Sequence, residues 1–139
     1  MTLLLVTEAL DSGKISLSDT VTASASAASK GGSQIWLKEG EQMRVEDLIK
    51  AVCVVSGNDA AVALGEHLAG SEEAFVAMMN EKAAALGLTN THFMNTSGLH
   101  DENHYSTVRE IALILQAALE NETCAEILSA ENYLSLIHI

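Results

Sequence analysis

Apolar residues recur with helical spacing along most of the chain, and this pattern predicts a mostly helical protein. Small polar or glycine residues interrupt the runs where helices are expected to end, as in residues 11–14. Acidic residues stand in the first turn of the run that opens at Val45, where the helix dipole favours them. Ser71 precedes another run as an N-cap. The predicted helices cover residues 3–10, 45–55, 59–69, 72–86, 107–119 and, more weakly, 122–129.

The segments between these helices predict two or three short extended pieces and several loops. Residues 15–21 and 34–41 are expected to be extended, and so is the segment 91–95. Residues 24–33 are small and polar, which predicts a flexible surface loop. Trp36, the only tryptophan, is interpreted as a packing anchor and not as a ligand platform.

One junction between two predicted helices carries polar groups that could do chemistry. The apolar run ending at Val55 meets the next one at Ser56-Gly57-Asn58-Asp59, so a hydroxyl and a carboxamide are expected at a junction in the interior. Buried polar groups need hydrogen-bond partners, which a substrate or a neighbouring segment could supply. A simple helix break explains the same residues, with Gly57 ending one helix and Asn58 or Asp59 capping the next. Spacing alone favours that simple explanation, because Ser-x-Asn is too short to be specific.

Composition limits the classes of function. The chain has 139 residues, enough for one domain with a core, and its 48% apolar but 4% aromatic content predicts an aliphatic core. Its formal charge of −12 argues against nucleic acid or an anionic membrane surface as a partner. Cys53 and Cys124 form no metal-spaced pair, so free thiols are expected. No stretch approaches the ~20 apolar residues of a membrane span, and the first residues lack the basic region of a signal peptide.

A series of short motifs, taken together and in order, resembles a known family. The motifs are Gly31-Gly32-Ser33-Gln34, Leu37-Lys38-Glu39-Gly40, Val45-Glu46-Asp47-Leu48-Ile49, Ser56-Gly57-Asn58-Asp59-Ala60, Met79-Asn80-Glu81-Lys82-Ala83, Leu86-Gly87-Leu88, Thr91-His92-Phe93-Met94-Asn95, Gly98-Leu99 and Tyr105-Ser106-Thr107-Val108-Arg109-Glu110. With them the chain resembles the serine-type D-alanyl-D-alanine carboxypeptidases, the low-molecular-mass penicillin-binding proteins. The resemblance predicts that residues 1–130 are part of such a catalytic domain, whereas residues 131–139 are a tail unlike the family. The implied fold class is α+β, a β-lactamase/transpeptidase-like fold of which this chain covers mainly the helical part with a few short strands.

The resemblance also implies a reaction and two site residues. The family uses a Ser-x-x-Lys nucleophile and base, a Ser-x-Asn motif and a Lys-Thr-Gly strand to release the terminal D-alanine of peptidoglycan stem peptides through an acyl-enzyme. Ser56 would relay a proton and Asn58 would hold the substrate amide or the lysine, so Asn58 is also the expected substrate-binding residue. β-Lactams are the other implied ligands, and no metal or organic cofactor is implied. The implied location is extracytoplasmic, with the signal peptide and any membrane anchor outside this chain.

Two of the three motifs are missing from the chain. No lysine has a serine three positions before it, and no lysine follows Lys82, so neither Ser-x-x-Lys nor Lys-Thr-Gly is present. In the family the nucleophile precedes a segment like residues 1–5, which would place it just before Met1. The chain is therefore expected to be an incomplete copy that is inactive by itself. Because the family's central sheet takes strands from both ends of the domain, the isolated chain is expected to bind hydrophobic dye and to lack a sharp melt.

Two other hypotheses remain open at this point. The chain could be a non-catalytic relative that binds peptidoglycan or a protein, in which case it should be stably folded by itself. Alternatively, His92, His100 and His104 could form a metal-binding module, since the last two are four residues apart. Gly98 and Ser106 flank His100 and His104 and predict a loop, where such spacing guarantees no geometry. A solvated polar loop is therefore the preferred interpretation of the histidines.

Overall fold

The computed structural model of the chain describes residues 1–129, and within them the protein is mainly helical with one small sheet. The bounds of most predicted helices are confirmed to within two residues. The last ten residues, which include the predicted tail, lie outside the described range. The elements are α1 (Thr2–Asp11), β1 (Thr20–Thr22), α2 (Ala25–Ala28), β2 (Gln42–Arg44), α3 (Val45–Val55), α4 (Asn58–Ala69), α5 (Glu72–Ala85), α6 (Val108–Glu120) and α7 (Glu122–Leu128).

Helix α4 lies at the centre, and α1, α2, α3 and α5 pack around it. Five consecutive residues at its start, 60–64, are buried, so this helix has no solvent face there. All five are alanine, valine or leucine, which confirms the predicted aliphatic core. Phe75 of α5 is fully buried against Gly65, where a side chain would stand 3.0 Å from the ring. A helix that is apolar all round belongs in a core, and the burial of α4 holds its first turn in a fixed place.

The sheet consists of β1 and β2, paired antiparallel with Val21 opposite Met43. Both of these side chains are buried while their strand neighbours are exposed, as the alternation of a half-buried strand requires. The predicted extended piece at residues 34–41 is not a strand. Its backbone amides at Ile35 and Leu37 donate to the Asp59 carboxylate and not to a neighbouring strand.

Two predictions about the segment before β2 are wrong. The supposed flexible loop contains the short helix α2, which Ser24 caps through its hydroxyl and which buries Ala27 completely. Trp36 is not a packing anchor, because its side chain is 70% exposed. Its backbone has φ +62°, a left-handed conformation that directs the indole outward while its neighbours Ile35 and Leu37 are buried. Residue spacing could not reveal that turn.

Helices α6 and α7 complete the described chain. Thr107 caps α6 through its hydroxyl, and Asn121 caps α7 through its side-chain oxygen, as the sequence pattern indicates for α6. The apolar face predicted for α6 is only half covered: Ile114 and Ala118 are buried, but Ile111, Leu115 and Leu119 are exposed. Among residues 1–129, no helix has the length and apolar character needed to cross a membrane.

Candidate active site

The predicted junction between two helices lies where α3 ends and α4 begins. Ser56 is the C-cap of α3 in a left-handed conformation with φ +56°, and the amide of Gly57 donates to the carbonyl of Ala51 at 3.2 Å. Gly57 is then the N-cap of α4, and Asn58 is its first residue. The helix break is therefore present, but Ser56, not Gly57, ends α3, and neither Asn58 nor Asp59 is the cap.

Ser56 and Asn58 occupy different environments, which corrects the expectation that both are interior. Ser56 is exposed, and its hydroxyl has no hydrogen-bond partner among residues 1–129. Asn58 is buried, with 8% of its surface exposed. The left-handed turn thus leaves a hydroxyl facing solvent two residues before a fixed carboxamide, an arrangement open to a ligand from one side.

The carboxamide of Asn58 is fixed by the segment formed by residues 31–33. Its Nδ2 donates to the carbonyl of Gly31 at 2.8 Å, and its backbone amide donates to the carbonyl of Ser33 at 2.8 Å. Within residues 1–129 no hydrogen bond reaches Oδ1, and no buried side-chain oxygen there lacks a partner, so Oδ1 retains access to solvent. A donor on a ligand can bind at that oxygen.

Gly32 makes this close contact possible. A Cβ at this position would lie 2.8 Å from Nδ2 of Asn58, and the residue has φ +79°. Glycine is the residue that meets both conditions without strain. The same virtual Cβ lies 3.7 Å from Leu99, so residues 31–33, Asn58 and the loop around residue 99 meet here.

A continuous set of polar contacts joins the segment 31–33, which holds Asn58, to the start of α1. The hydroxyl of Thr2 donates to the carbonyl of Thr96 at 2.7 Å. The amide and hydroxyl of Thr96 donate to Oε1 of Glu72 at 3.2 and 3.0 Å, and Lys30 lies 2.7 Å from Oε2 of the same carboxylate. Lys30 immediately precedes Gly31. The beginning of α1 and the partners of Asn58 therefore belong to one connected structure.

Glu72 is the charged centre of these contacts. Burial alone would disfavour its ionised form, but the hydrogen bonds from Lys30 and Thr96 outweigh burial, and the pKa of the carboxyl lies below its usual value. Glu72 is therefore ionised at neutral pH, and it holds the loop of Thr96 and the segment after Lys30 together.

A cavity of about 280 Å³ lies at the start of α1. Thr2, Thr96 and Gly98 line it, together with Val52, which is one turn before Ser56 on α3. The cavity therefore adjoins the start of α1 and the last turns of α3, and neither Ser56 nor Asn58 lines it.

The three histidines do not form a metal centre. Nδ1 of His92 lies 2.8 Å from the carbonyl of Asn103, and Nδ1 of His104 accepts the amide of Met94 at 3.2 Å. Burial lowers the pKa of His104 further than nearby Asp101 raises it. Across residues 1–129, no three His, Cys, Asp or Glu side chains are placed to hold an ion. The thiols of Cys53 and Cys124 are free, as predicted, although Cys53 is only half-buried.

Residues 1–134 match the family model described as D-alanyl-D-alanine carboxypeptidase. The chain belongs to this family. The carboxypeptidase DacF of Bacillus subtilis is 49% identical over 135 residues, which are 96% of this chain and 35% of that protein. The carboxypeptidase DacC of Escherichia coli is 42% identical over 127 residues, 87% of this chain and 32% of its own length. The chain thus spans about a third of the length of these curated carboxypeptidases.

Solved structures confirm the predicted fold class of this carboxypeptidase segment. Penicillin binding protein 6B from Escherichia coli superposes with a TM-score of 0.91 at 35% identity, over 99% of this chain and 45% of that one. Penicillin binding protein 5 from Haemophilus influenzae gives 0.89 at 38% identity, over 96% of this chain and 40% of that one. The described residues contribute mainly helices to this α+β fold, with two short strands.

The residues that hold the candidate site in place were not predicted from the sequence. Asp59 is 1% exposed and accepts amide hydrogen bonds from Ile35 and Leu37. Lys30 and Glu72 pair across 42 positions of sequence. The one available signal for Asp59 was an acidic residue in the first turn of an apolar helix. The sequence offered no comparable sign of the pairing between Lys30 and Glu72.

Proposed function

We propose that the chain is a central segment of a serine D-alanyl-D-alanine carboxypeptidase, and that Ser56 and Asn58 are its Ser-x-Asn motif. The complete enzyme would release the terminal D-alanine from a peptidoglycan stem peptide. The serine of a Ser-x-x-Lys motif attacks the carbonyl between the two D-alanines, an ester forms and D-alanine leaves with a proton. Water then hydrolyses the ester and regenerates the serine.

The connection between the start of α1 and Asn58 is the observation that carries this proposal. In the family the Ser-x-x-Lys motif stands just before a helix like α1. Thr2, at the beginning of α1, is tied through Thr96 and Glu72 to Lys30, next to the carbonyl that holds Asn58. Residues added before Met1 would extend from the cavity at the start of α1, which Val52 of α3 also lines, one turn before Ser56.

The environments of Ser56 and Asn58 support the roles proposed for them. The Ser56 hydroxyl faces solvent without a partner in the described range, so it is available to pass a proton from the lysine to the departing amine. Oδ1 of Asn58 is available to a donor such as a substrate amide or the lysine ammonium, while Nδ2 is held by Gly31. A carboxamide held in advance stabilises a ligand without reorganising, which is the effective form of electrostatic catalysis.

The same proposal covers partners, location and the state of the isolated chain. Stem peptides and β-lactams are the expected ligands of the complete protein, which acts outside the cytoplasmic membrane. The 139 residues contain neither Ser-x-x-Lys nor Lys-Thr-Gly. We therefore expect the isolated chain to form no acyl-enzyme.

A chimera tests the proposal directly. Residues 1–129 replace the matching segment of the Bacillus subtilis DacF carboxypeptidase, whose remaining residues are expected from the family to supply the two missing motifs; we call this protein the reconstituted domain. We expect a fluorescent penicillin to label the reconstituted domain but not the isolated chain. Ser56→Ala and Asn58→Ala should each slow labelling by roughly 10²–10³-fold, the usual loss for one preorganised polar group.

Ser106→Ala is the matched control, because Ser106 is also an exposed hydroxyl but lies in the loop before α6. It should label at the parent rate. Labelling unaffected by Ser56→Ala and Asn58→Ala would contradict the proposed motif. A folded reconstituted domain that fails to label, beside an isolated chain that binds peptidoglycan, would favour the non-catalytic binding relative.

A further inference from the structure

The backbone at Trp36 is strained in a way that local sequence does not explain. Within residues 1–129, Trp36 and Ser56 are the two residues other than glycine with positive φ, at +62° and +56°. The left-handed conformation is unfavourable for a residue with a bulky side chain, and such residues keep it only when their surroundings impose it. Ser56 has this conformation as the C-cap of α3, where left-handed residues are common, whereas Trp36 is not at the end of a helix.

Asp59 supplies the constraint at Trp36. The amide of Ile35 donates to both carboxylate oxygens of Asp59, each at 3.1 Å, and the amide of Leu37 donates to Oδ2 at 3.0 Å. Asp59 therefore holds the residue on each side of Trp36. The carboxylate is 1% exposed and also accepts the amide of Ala60 at 2.9 Å. A buried charge with these amide donors at a helix start is well compensated, which makes it a rigid anchor.

The turn at residues 35–37, which Asp59 holds, directly follows the residues that hold Asn58. Two carbonyls in this segment, those of Gly31 and Ser33, accept from the side chain and the backbone of Asn58. Ile35 follows Ser33 by two residues, so the segment 31–37 is held at both ends. The amide groups of Asn58 hold its beginning, and the carboxylate of Asp59 holds its end. Asn58 and Asp59 are adjacent on α4, which makes the arrangement a closed loop of contacts.

We propose that Asp59 is a positioning residue that sets the location of the Asn58 carboxamide. It acts by holding Trp36 in its strained turn, so that residues 31–33 present their carbonyls to Asn58. The inference rests on the proposed function for the role of Asn58, but the positioning itself can be tested by spectroscopy in the reconstituted domain, without any measurement of activity.

Asp59→Asn in the reconstituted domain is the first test, with amide exchange and nitrogen–proton spectra as readouts. The substitution removes the charge and replaces one acceptor by a donor. We expect exchange at Ile35 and Leu37 to accelerate roughly tenfold or more, as for loss of hydrogen bonds to a charged group. The side-chain amide resonances of Asn58 should shift, and its backbone amide should exchange faster.

Asp47→Asn is the matched control, since Asp47 also lies in the first turn of a helix and loses the same charge. It should leave Ile35, Leu37 and the Asn58 side chain unchanged. Unaltered Asn58 resonances in Asp59→Asn would overturn the proposal, and so would a parent chain in which Ile35 and Leu37 show no protection.

Substitutions at Trp36 keep the proposal testable if Asp59→Asn fails to fold. Trp36→Gly removes both the indole and the strain, whereas Trp36→Ala removes the indole and keeps the strained Cβ. In the Trp36→Gly background, Asp59→Asn should fold and disturb Asn58 less than in the Trp36→Ala background. Equal disturbance in both backgrounds, or loss of folding in both, would show that Asp59 does not act through this turn.

Failure of the two proposals can be told apart. If the reconstituted domain is not labelled by penicillin but the Asn58 resonances respond as expected, the carboxypeptidase function is wrong and the positioning by Asp59 stands. If labelling depends on Asn58 but the Asn58 resonances do not change in Asp59→Asn, the carboxypeptidase function stands and the positioning by Asp59 is wrong.

Discussion

Helices α4 and α6 are similar in length, at 12 and 13 residues, but they differ in what covers them. Residues 60–64 of α4 are all buried, while Ile111, Leu115 and Leu119 of α6 are 57%, 50% and 49% exposed. Both helices are rich in apolar residues, so composition does not explain the difference. In the carboxypeptidase relatives, about two thirds of the protein lies outside the matched segment. The candidate site lies at the start of α4, in the part of the fold that the described residues bury and that we call the completed region, whereas one face of α6 is uncovered within residues 1–129.

Phe75→Ala should have the largest effect on the completed region. The ring is fully buried against Gly65, and its removal leaves a cavity that neighbouring helices cannot fill. We expect a loss of about 3–5 kcal/mol in the free energy of unfolding of the reconstituted domain. Denaturant unfolding followed by circular dichroism measures it. A loss below about 1 kcal/mol, in the range of ordinary surface substitutions, would mean that the α4–α5 contact is not a true core.

Glu72 should make the completed region sensitive to acid. Its pKa is lowered in the fold from the ordinary 4.5, so its ionised form adds stability at neutral pH that is lost as pH falls through the folded pKa. Glu72→Gln should cost about 1.5–3 kcal/mol at pH 7, the range for hydrogen bonds to a charged group. The gap between parent and variant should close as pH falls below 4.5. Unfolding curves of both proteins from neutral to acid pH test this.

Glu73→Gln is the control for the Glu72 experiment. Glu73 is exposed and lies next to Glu72 in the first turn of α5, so the control removes the same charge. Its stability should follow the parent at every pH. A gap that stays constant with pH would assign the effect of Glu72→Gln to packing and not to ionisation.

Gly65→Ala should disturb the same core by overpacking. A Cβ there would stand 3.0 Å from the Phe75 ring and 3.0 Å from the methyl group of Thr96. Overpacking costs about 1–3 kcal/mol, while alanine gains about 1 kcal/mol over glycine in a helix, so we expect a net loss of about 1 kcal/mol. Phe75→Leu in the Gly65→Ala background should recover part of it. A stabilised Gly65→Ala protein would show that the ring can move aside.

The sequence predicted the helices of the completed region because their apolar periods are long and their caps are local. Val45–Val55 is the predicted range to the residue. It did not predict that Asp59 holds the turn at Trp36. The hydrogen bonds of Asp59 join residues 22 to 24 positions apart in the sequence and depend on a backbone angle. The motif residues Ser56 and Asn58 came from resemblance, and the exposure of Ser56 came from a left-handed cap that no periodicity encodes. Periodicity likewise gave the apolar face of α6 but not what covers it.

The smallest effect on stability is expected on α6 in the isolated chain, and comparison with the reconstituted domain distinguishes the two environments of this helix. In the isolated chain Leu115→Gln should change stability by no more than about 0.5 kcal/mol, because the side chain is already half exposed. It should nevertheless reduce binding of a hydrophobic dye, which the isolated chain is expected to bind through this uncovered face. In the reconstituted domain the same substitution should cost about 2 kcal/mol or more if the flanking segments bury Leu115. Equal effects in both proteins would show that the face stays in solvent, and α6 would then differ from α4 by its own surface chemistry and not by a missing neighbour.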